Sequence, residues 1–247
     1  MTNRSTHTRC RNMLVATVAA LLLAVGAGCN KPSPATRTHR DIPQRDPAAA
    51  YHGIDISSHQ GNIDWNKLTA DKNILFVYIK ASEGGTYRSP HYGFNLAMAH
   101  HYGLLVGSYH YFTTTATVQQ QFKNFTHCAL LASQDLIPML DVETRGDWSR
   151  GQLIDSVAQM AQLIEQHFGA KPMIYSTMEF YNKNLAPHFN KYPLYIGRYS
   201  NQRPVINWEG KYTIWQYSEN GILPGIEAYV DLCRFSDDTW LDQILLD

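Results

Sequence analysis

Two carboxylates stand one residue apart at the end of an apolar run, Leu136-Ile137-Pro138-Met139-Leu140-Asp141-Val142-Glu143. If this run is a buried strand, alternation sends Asp141 and Glu143 to the same side. Two acids on one face repel each other and lose hydration. Both effects raise a carboxyl pKa, which keeps a general acid protonated near neutrality. The plainer alternative is a strand running into an acidic, solvated loop. Three other segments bear on the choice: Asp55 in Gly53-Ile54-Asp55-Ile56-Ser57, Asp231 in Tyr229-Val230-Asp231-Leu232, and Lys80 in Lys80-Ala81-Ser82-Glu83-Gly84. A lone Asp in a strand is usually a cap or an ion-pair partner. Several acids converging with only Lys80 to neutralise them point toward chemistry.

Aromatic residues cluster near the same strand ends: Tyr109, Tyr111, Phe112, Tyr175, Tyr195, Tyr199, Trp215 and Tyr217, among fifteen Tyr and five Trp. Aromatic faces joined to hydroxyls suit sugar rings, although about half of such residues are expected to be packing. Carboxylates with sugar-facing aromatics point to glycosidic-bond hydrolysis. Residues two apart on a strand have Cα atoms ~6.6–7 Å apart on one side. That neighbouring geometry suits one acid donating a proton while the other orients the substrate. With a 2-acetamido sugar, the acetamido carbonyl is the internal nucleophile, Asp141 holds it and Glu143 protonates the leaving oxygen. No C-x-x-C or H-x-x-x-H spacing supports a metal site, and no cofactor is expected.

The elements that must position these groups are short and mostly apolar on both faces. Strands are predicted over 53–57, 74–81, 104–111, 136–143, 172–176, 193–199, 212–217 and 229–234, as for a buried parallel sheet. Helical spacing predicts helices over 90–102, 118–131 and 153–168. The last carries one stripe of Leu153, Ile154, Val157, Met160, Ala161, Ile164 and Phe168, with Gly169 as a stop signal. The connections 200–211 and 218–228 contain Pro and Gly and no apolar period. The expected fold is α/β, a modified TIM-like barrel of eight strands with helices mainly after the first five. Functional groups then gather at the C-terminal strand ends.

Ahead of the barrel the chain has a different character. Arg4, Arg9 and Arg11 precede an apolar run from Met13 to Ala27 without an acid, which reads as a secretory signal over 1–28. Val25-Gly26-Ala27-Gly28-Cys29 is similar to a bacterial lipobox with Cys29 as the lipidated residue; ordinary cleavage nearby is the alternative. Residues 29–50, rich in Pro, Thr, Arg and Ala, read as a flexible tether, and 51–247 as the folded domain. The whole chain has formal net charge zero, and without the signal 18 basic residues face 21 acidic ones. That balance, with no Lys/Arg stripe, gives no footprint for nucleic acid. The expected partners are a membrane, through the lipid anchor, and the glycan. Cys128 and Cys233 are expected to be two thiols, and His110 a strand residue.

The segments together resemble glycoside hydrolase family 25, the N-acetylmuramidase type of lysozyme. The resemblance rests on Gly53–Trp65 (GIDISSHQGNIDW), Phe76–Gly84 (FVYIKASEG), Gly107–Phe112 (GSYHYF), Pro138–Glu143 (PMLDVE), Ile214–Ser218 (IWQYS) and Val230–Phe235 (VDLCRF). It spans Tyr51 to the C-terminus. It implies a modified β/α barrel and cleavage of the β-1,4 bond between N-acetylmuramic acid and N-acetylglucosamine in peptidoglycan. By matching position it makes Glu143 the acid/base, Asp141 its acidic neighbour, and Asp55 and Asp231 the other catalytic acids. Tyr109, Tyr111 and Lys80 are groove residues, with Tyr175 and Trp215 as further substrate-binding candidates. Two departures stand out: Tyr195 and Gly197 occupy positions where relatives usually carry Trp and Ala, and Cys233 replaces a more usual polar residue. The expectation is a monomeric, envelope-anchored muramidase. A barrel that only binds peptidoglycan and a glycosidase for another N-acetylated glycan are the competing readings.

Overall fold

The computed structural model describes residues 42–46 and 48–246, which fall in one compact unit. The predicted signal, Cys29 and most of the tether lie outside the described residues. The chain runs β1 (Gly53–Ile56), α1 (Trp65–Leu68), β2 (Phe76–Glu83), β3 (Tyr87–Arg88), α2 (Tyr92–His101), β4 (Leu105–Tyr111) and α3 (Val118–Cys128). It continues with β5 (Met139–Asp141), α4 (Arg150–Phe168), β6 (Met173–Thr177), α5 (Met178–Phe180), β7 (Leu194–Gly197), β8 (Ile214–Gly221) and β9 (Val230–Phe235). A π-helical turn, Tyr181–Leu185, extends α5. The sheet order β1-β9-β8-β7-β6-β5-β4-β2 closes through a β1–β2 pairing. The result is the expected eight-stranded barrel, with β3 as a small extra hairpin on β2.

One expectation needs correction. The sheet is not parallel throughout, because β9 runs antiparallel to both β8 and β1. The connection 222–229 is too short for the crossover that parallel neighbours require, so β8 and β9 pair as a hairpin. This reversal matters for function. It places the beginning of β9, and Asp231 with it, at the rim where the parallel strands end.

Alternation sorts the sheet into two buried layers. Ile54, Ile56, Val77, Ile79, Val106, Leu140, Ile174 and Ile196 face outward beneath the helices. Phe76, Tyr78, Leu105, Met139, Met173, Tyr195, Ile214 and Cys233 fill the interior below the mouth. Large inner rings require small neighbours: a Cβ on Gly107 would lie 2.3 Å from the Tyr78 ring, and one on Gly53 2.5 Å from Phe76. The longest cover is α4. Ser149 and Gln152 form its capping box, Leu153, Val157, Met160, Ala161, Ile164 and Phe168 are buried, and Gly169 ends it at φ 80°. Each of these buried side chains larger than alanine contributes about 1.5–3 kcal/mol.

His110 also points outward. Its Nδ1 lies 2.8 Å from Ser82 Oγ and its Nε2 3.3 Å from Gln121 Oε1. Burial drives its pKa down to about 4, so it is a neutral clamp between β2, β4 and α3. Cys128 and Cys233 are both free thiols.

Candidate active site

The inner-face positions nearest the rim carry the acids. In the β1–β9 ladder Asp55 stands directly opposite Asp231. Asp141 pairs in register with Tyr111 on one side and Tyr175 on the other. Pairing continues past the strand end, where Val142 N–H donates to Tyr175 O at 3.0 Å. Alternation therefore carries Glu143 to the same mouth, where it is exposed while Asp141 is buried.

The acids form two couples. Asp55 Oδ2 accepts from Tyr195 Oη at 2.7 Å and from Gln216 Nε2 at 2.9 Å. Gln216 Oε1 in turn accepts from Tyr175 Oη at 2.7 Å and Tyr199 Oη at 3.0 Å. Burial raises the Asp55 pKa, and the donors Tyr195, Gln216 and Asp231 oppose the rise. Burial and then the Asp55 charge push Asp231 up to about 9. This couple therefore keeps one proton at neutral pH. Asp231 holds it, because the two neutral donors favour charge on Asp55.

In the second couple, burial and then the Glu143 charge raise Asp141 well above the usual carboxylate range. Burial raises Glu143 as well, while a hydrogen bond from Asp141 opposes the rise. The two carboxyls are coupled by a hydrogen bond, so the pair favours holding one proton, and Asp141 is the member raised further. Asp141 Oδ1 is buried without a hydrogen-bond partner. A buried carboxyl oxygen left unpaired is costly and is ready to accept a donor.

The predicted aromatic residues divide. Tyr109 stands amid all four acids: burial and then Asp55, Asp141, Asp231 and Glu143 raise its hydroxyl pKa. Burial and then Glu143, Asp141 and Glu83 push Tyr111 up to about 12. Tyr175 joins the mouth through Gln216. Trp215 does not. Ile214 and Gln216 face inward on β8, so Trp215 between them faces outward, where its Nε1 donates to Arg198 O at 2.8 Å. The ring therefore belongs to the outer wall and not to this mouth, for the same period-two reason that places the acids.

Lys80 lies at the rim, where it pairs with Glu83 and its charge also opposes the rise of Asp141 and Glu143. Its Nζ is 2.7 Å from Glu83 Oε2 and 4.8 Å from the Tyr111 ring centroid. Glu83 is thereby a structural partner. The residue overlooked in the sequence is Gln216. Its signal was its alternation with Trp215 on a strand whose Ile214 lies in the core. Among the described residues no group of three His, Cys, Asp or Glu side chains could hold a metal ion.

The sequence profile of glycosyl hydrolases family 25 matches residues 54–226, more than half of the chain. The chain belongs to glycosyl hydrolase family 25. It is a glycoside hydrolase of the lysozyme, or muramidase, type. The Escherichia coli K12 protein YegX is 36% identical over 189 residues, covering 75% of this chain and 69% of that one. The autolytic lysozyme of Clostridium acetobutylicum is 32% identical over 185 residues, and the match covers 75% of this chain and 56% of that one. A family 25 glycosyl hydrolase from Bacillus anthracis superposes with a TM-score of 0.69 at 28% identity, covering 82% of this chain and 96% of that one.

Within this family 25 barrel Tyr195 and Gly197 both fall in the Asp55 network. Tyr195 supplies the hydroxyl donor to Asp55. A Cβ on Gly197 would come 3.0 Å from Tyr175 Oη and 3.1 Å from Gln216 Oε1, so glycine leaves room for that hydrogen bond.

Proposed function

We propose that this protein is an N-acetylmuramidase that cleaves the β-1,4 bond between N-acetylmuramic acid and N-acetylglucosamine in peptidoglycan, with retention and participation of the substrate acetamido group. The single observation that carries this reading is the Asp141–Glu143 couple, a buried carboxyl with an unpartnered oxygen beside a second carboxyl at the open rim. An acetamido N–H arriving at Asp141 stabilises its carboxylate form. The shared proton then passes to Glu143, at the open rim, where the leaving oxygen meets it. The acetamido oxygen attacks the anomeric carbon as that bond breaks. Glu143, now ionised, accepts a proton from the water that opens the cyclic intermediate. Asp55, held ionised by Tyr195 and Gln216, adds a fixed negative charge that favours the oxocarbenium-like transition state. Tyr109, Tyr111 and Tyr175 supply ring faces and hydroxyls to the sugar.

The test is digestion of purified peptidoglycan, with fragments identified by mass spectrometry and the first-formed anomer by NMR. Fragments with reducing-end muramic acid and initial β-anomer support the reading. Fragments with reducing-end glucosamine overturn the bond assignment, and initial α-anomer overturns the acetamido route. The reading includes an envelope location with a lipid on Cys29. Full-length protein then labels with a fatty-acid analogue in cells and Cys29→Ala does not; equal labelling of both overturns the anchor. The monomeric state belongs to the same reading and is checked by light scattering.

A further inference from the structure

The outer wall of β8 and β9 holds a second polar arrangement with its back to the catalytic mouth. A cavity of about 220 Å³ is lined by Arg45, Arg203 and Arg234, with Trp215, His52 and Asp237 in its walls. The Arg234 guanidinium carbon lies 4.5 Å from the Trp215 ring centroid and 4.7 Å from that of Tyr217. The hydrogen bond from Trp215 Nε1 to Arg198 O fixes the first ring. Two aromatic rings, tilted 68° to each other, thus hold the guanidinium by cation–π contact. The Arg234 side chain makes no ion pair and no hydrogen bond with any described residue. Its neighbours are tied down: Arg203 forms a two-pronged pair with the Asp237 carboxylate, and Arg45 donates to Asp237 O at 2.8 Å.

Asp237 is the single acid among the lining residues, against three guanidiniums. Burial lowers the His52 pKa first, and Arg45 and Arg234 lower it further, while Asp46 opposes them. A half-buried arginine with unused donors, held rigid in a positive cavity, gains strongly from an anion with several acceptor oxygens. A phosphate group matches three guanidiniums better than a single carboxylate, which offers two oxygens.

We propose that this cavity is a phosphate-binding site, distinct from the catalytic mouth, with Arg234 as the recognition side chain and Arg45 and Arg203 at its edge. The phosphate can come from a lipid headgroup or from solution. Residues 42–46 pack beside the cavity, through Arg45 and through Trp240 Nε1, which donates to Pro43 O at 2.9 Å. The assignment stands on the outer face of β8–β9 and does not depend on the proposed cleavage reaction.

The experiment measures thermal stability and calorimetric binding of the full-length chain in neutral-detergent micelles. One arm adds inorganic phosphate, with chloride at matched ionic strength as control. The other adds phosphatidylglycerol to the micelles. A specific ligand raises Tm by mass action. The expected result is a rise with at least one phosphate source and a loss of affinity of tenfold or more in Arg234→Gln, with peptidoglycan hydrolysis unchanged. A response to inorganic phosphate marks a site for the free anion. A response to phosphatidylglycerol alone marks a headgroup site. Should Arg234→Gln lower Tm in chloride, Arg234→Lys keeps the charge and stem, and loss of affinity in that variant supports the fork geometry. No response to either source overturns the proposal, as does undiminished affinity in folded Arg234→Gln and Arg203→Gln.

Discussion

The two carboxyl couples at the mouth have the same composition of charge and protons but are held in opposite ways. Asp55 and Asp231 face each other across a ladder, and Asp55 receives two neutral donors, at 2.7 and 2.9 Å. Its proton has one stable location, on Asp231. Asp141 and Glu143 come from consecutive inward positions of one strand, and Asp141 keeps an oxygen without a partner. Its proton can move for little free energy once a donor reaches Asp141. A shared proton becomes useful for catalysis when one member of the pair keeps an unpaired oxygen, and it stays put when neutral donors hold the other member ionised.

The largest expected effect breaks the mobile couple. Glu143→Gln removes the proton carrier and should lower kcat by about 10³-fold or more while leaving Tm nearly unchanged, in line with the 10²–10⁴-fold typical of general acid–base groups. A variant with wild-type turnover on peptidoglycan would falsify the role given to Glu143. Asp141→Asn should cost about 10²-fold and also change the pH profile. The active form carries one proton on the couple, so wild-type activity falls at high pH when that proton leaves. Without the Asp141 charge, Glu143 loses its proton more readily, and the basic limb moves to lower pH. An unmoved basic limb would separate Asp141 from the acid/base chemistry.

The fixed couple answers to stability as well as to rate. The folded-state pKa of Asp231, about 9, lies above its unfolded value. The folded protein therefore binds more protons than the unfolded chain between roughly pH 4 and 9, and stability falls as pH rises through that window. Asp231→Asn mimics the protonated form. It should raise Tm by a few degrees at about pH 8, and by less at about pH 5. Equal shifts at both pH values would show that Asp231 is not the protonated partner.

Much of this arrangement was legible in the sequence because it depends on period-two alternation. Asp141 and Glu143 facing together, eight strands, and the stripe of α4 all follow from spacing. The direction of β9 did not, since strand-like residues carry no sign of parallel or antiparallel pairing; the short connection 222–229 was the available clue. Trp215 was placed at the mouth by composition, although alternation with Gln216 argues for the outer wall. Lys80 as a base among the acids is legible, but its ion pair with Glu83 depends on a three-residue offset across the bulged end of β2. The division of protons between the couples was not readable at all. It arises from contacts between residues far apart in the chain, such as Tyr195 with Asp55.

That contact sets the smallest prediction and the sharpest test of the comparison. Tyr195→Phe removes one of two donors to Asp55 and leaves the ring in contact with Tyr78 and Tyr175, whose centroids lie 6.1 and 5.4 Å away. Losing a hydrogen bond to a charged group weakens the ionised form by about 1.5–3 kcal/mol before the surroundings relax. Gln216 still donates to the same oxygen, which softens the loss. The Asp55 pKa rises, the Asp231 proton loses its preference, and the fixed couple becomes more like the mobile one. Turnover should fall only several-fold, with KM nearly constant, while the acidic limb of the pH profile moves upward as Asp55 takes a proton more easily. Phe at 195 with an unshifted acidic limb would mean that Gln216 alone holds the charge on Asp55, and that the hydroxyl at this position is there for packing.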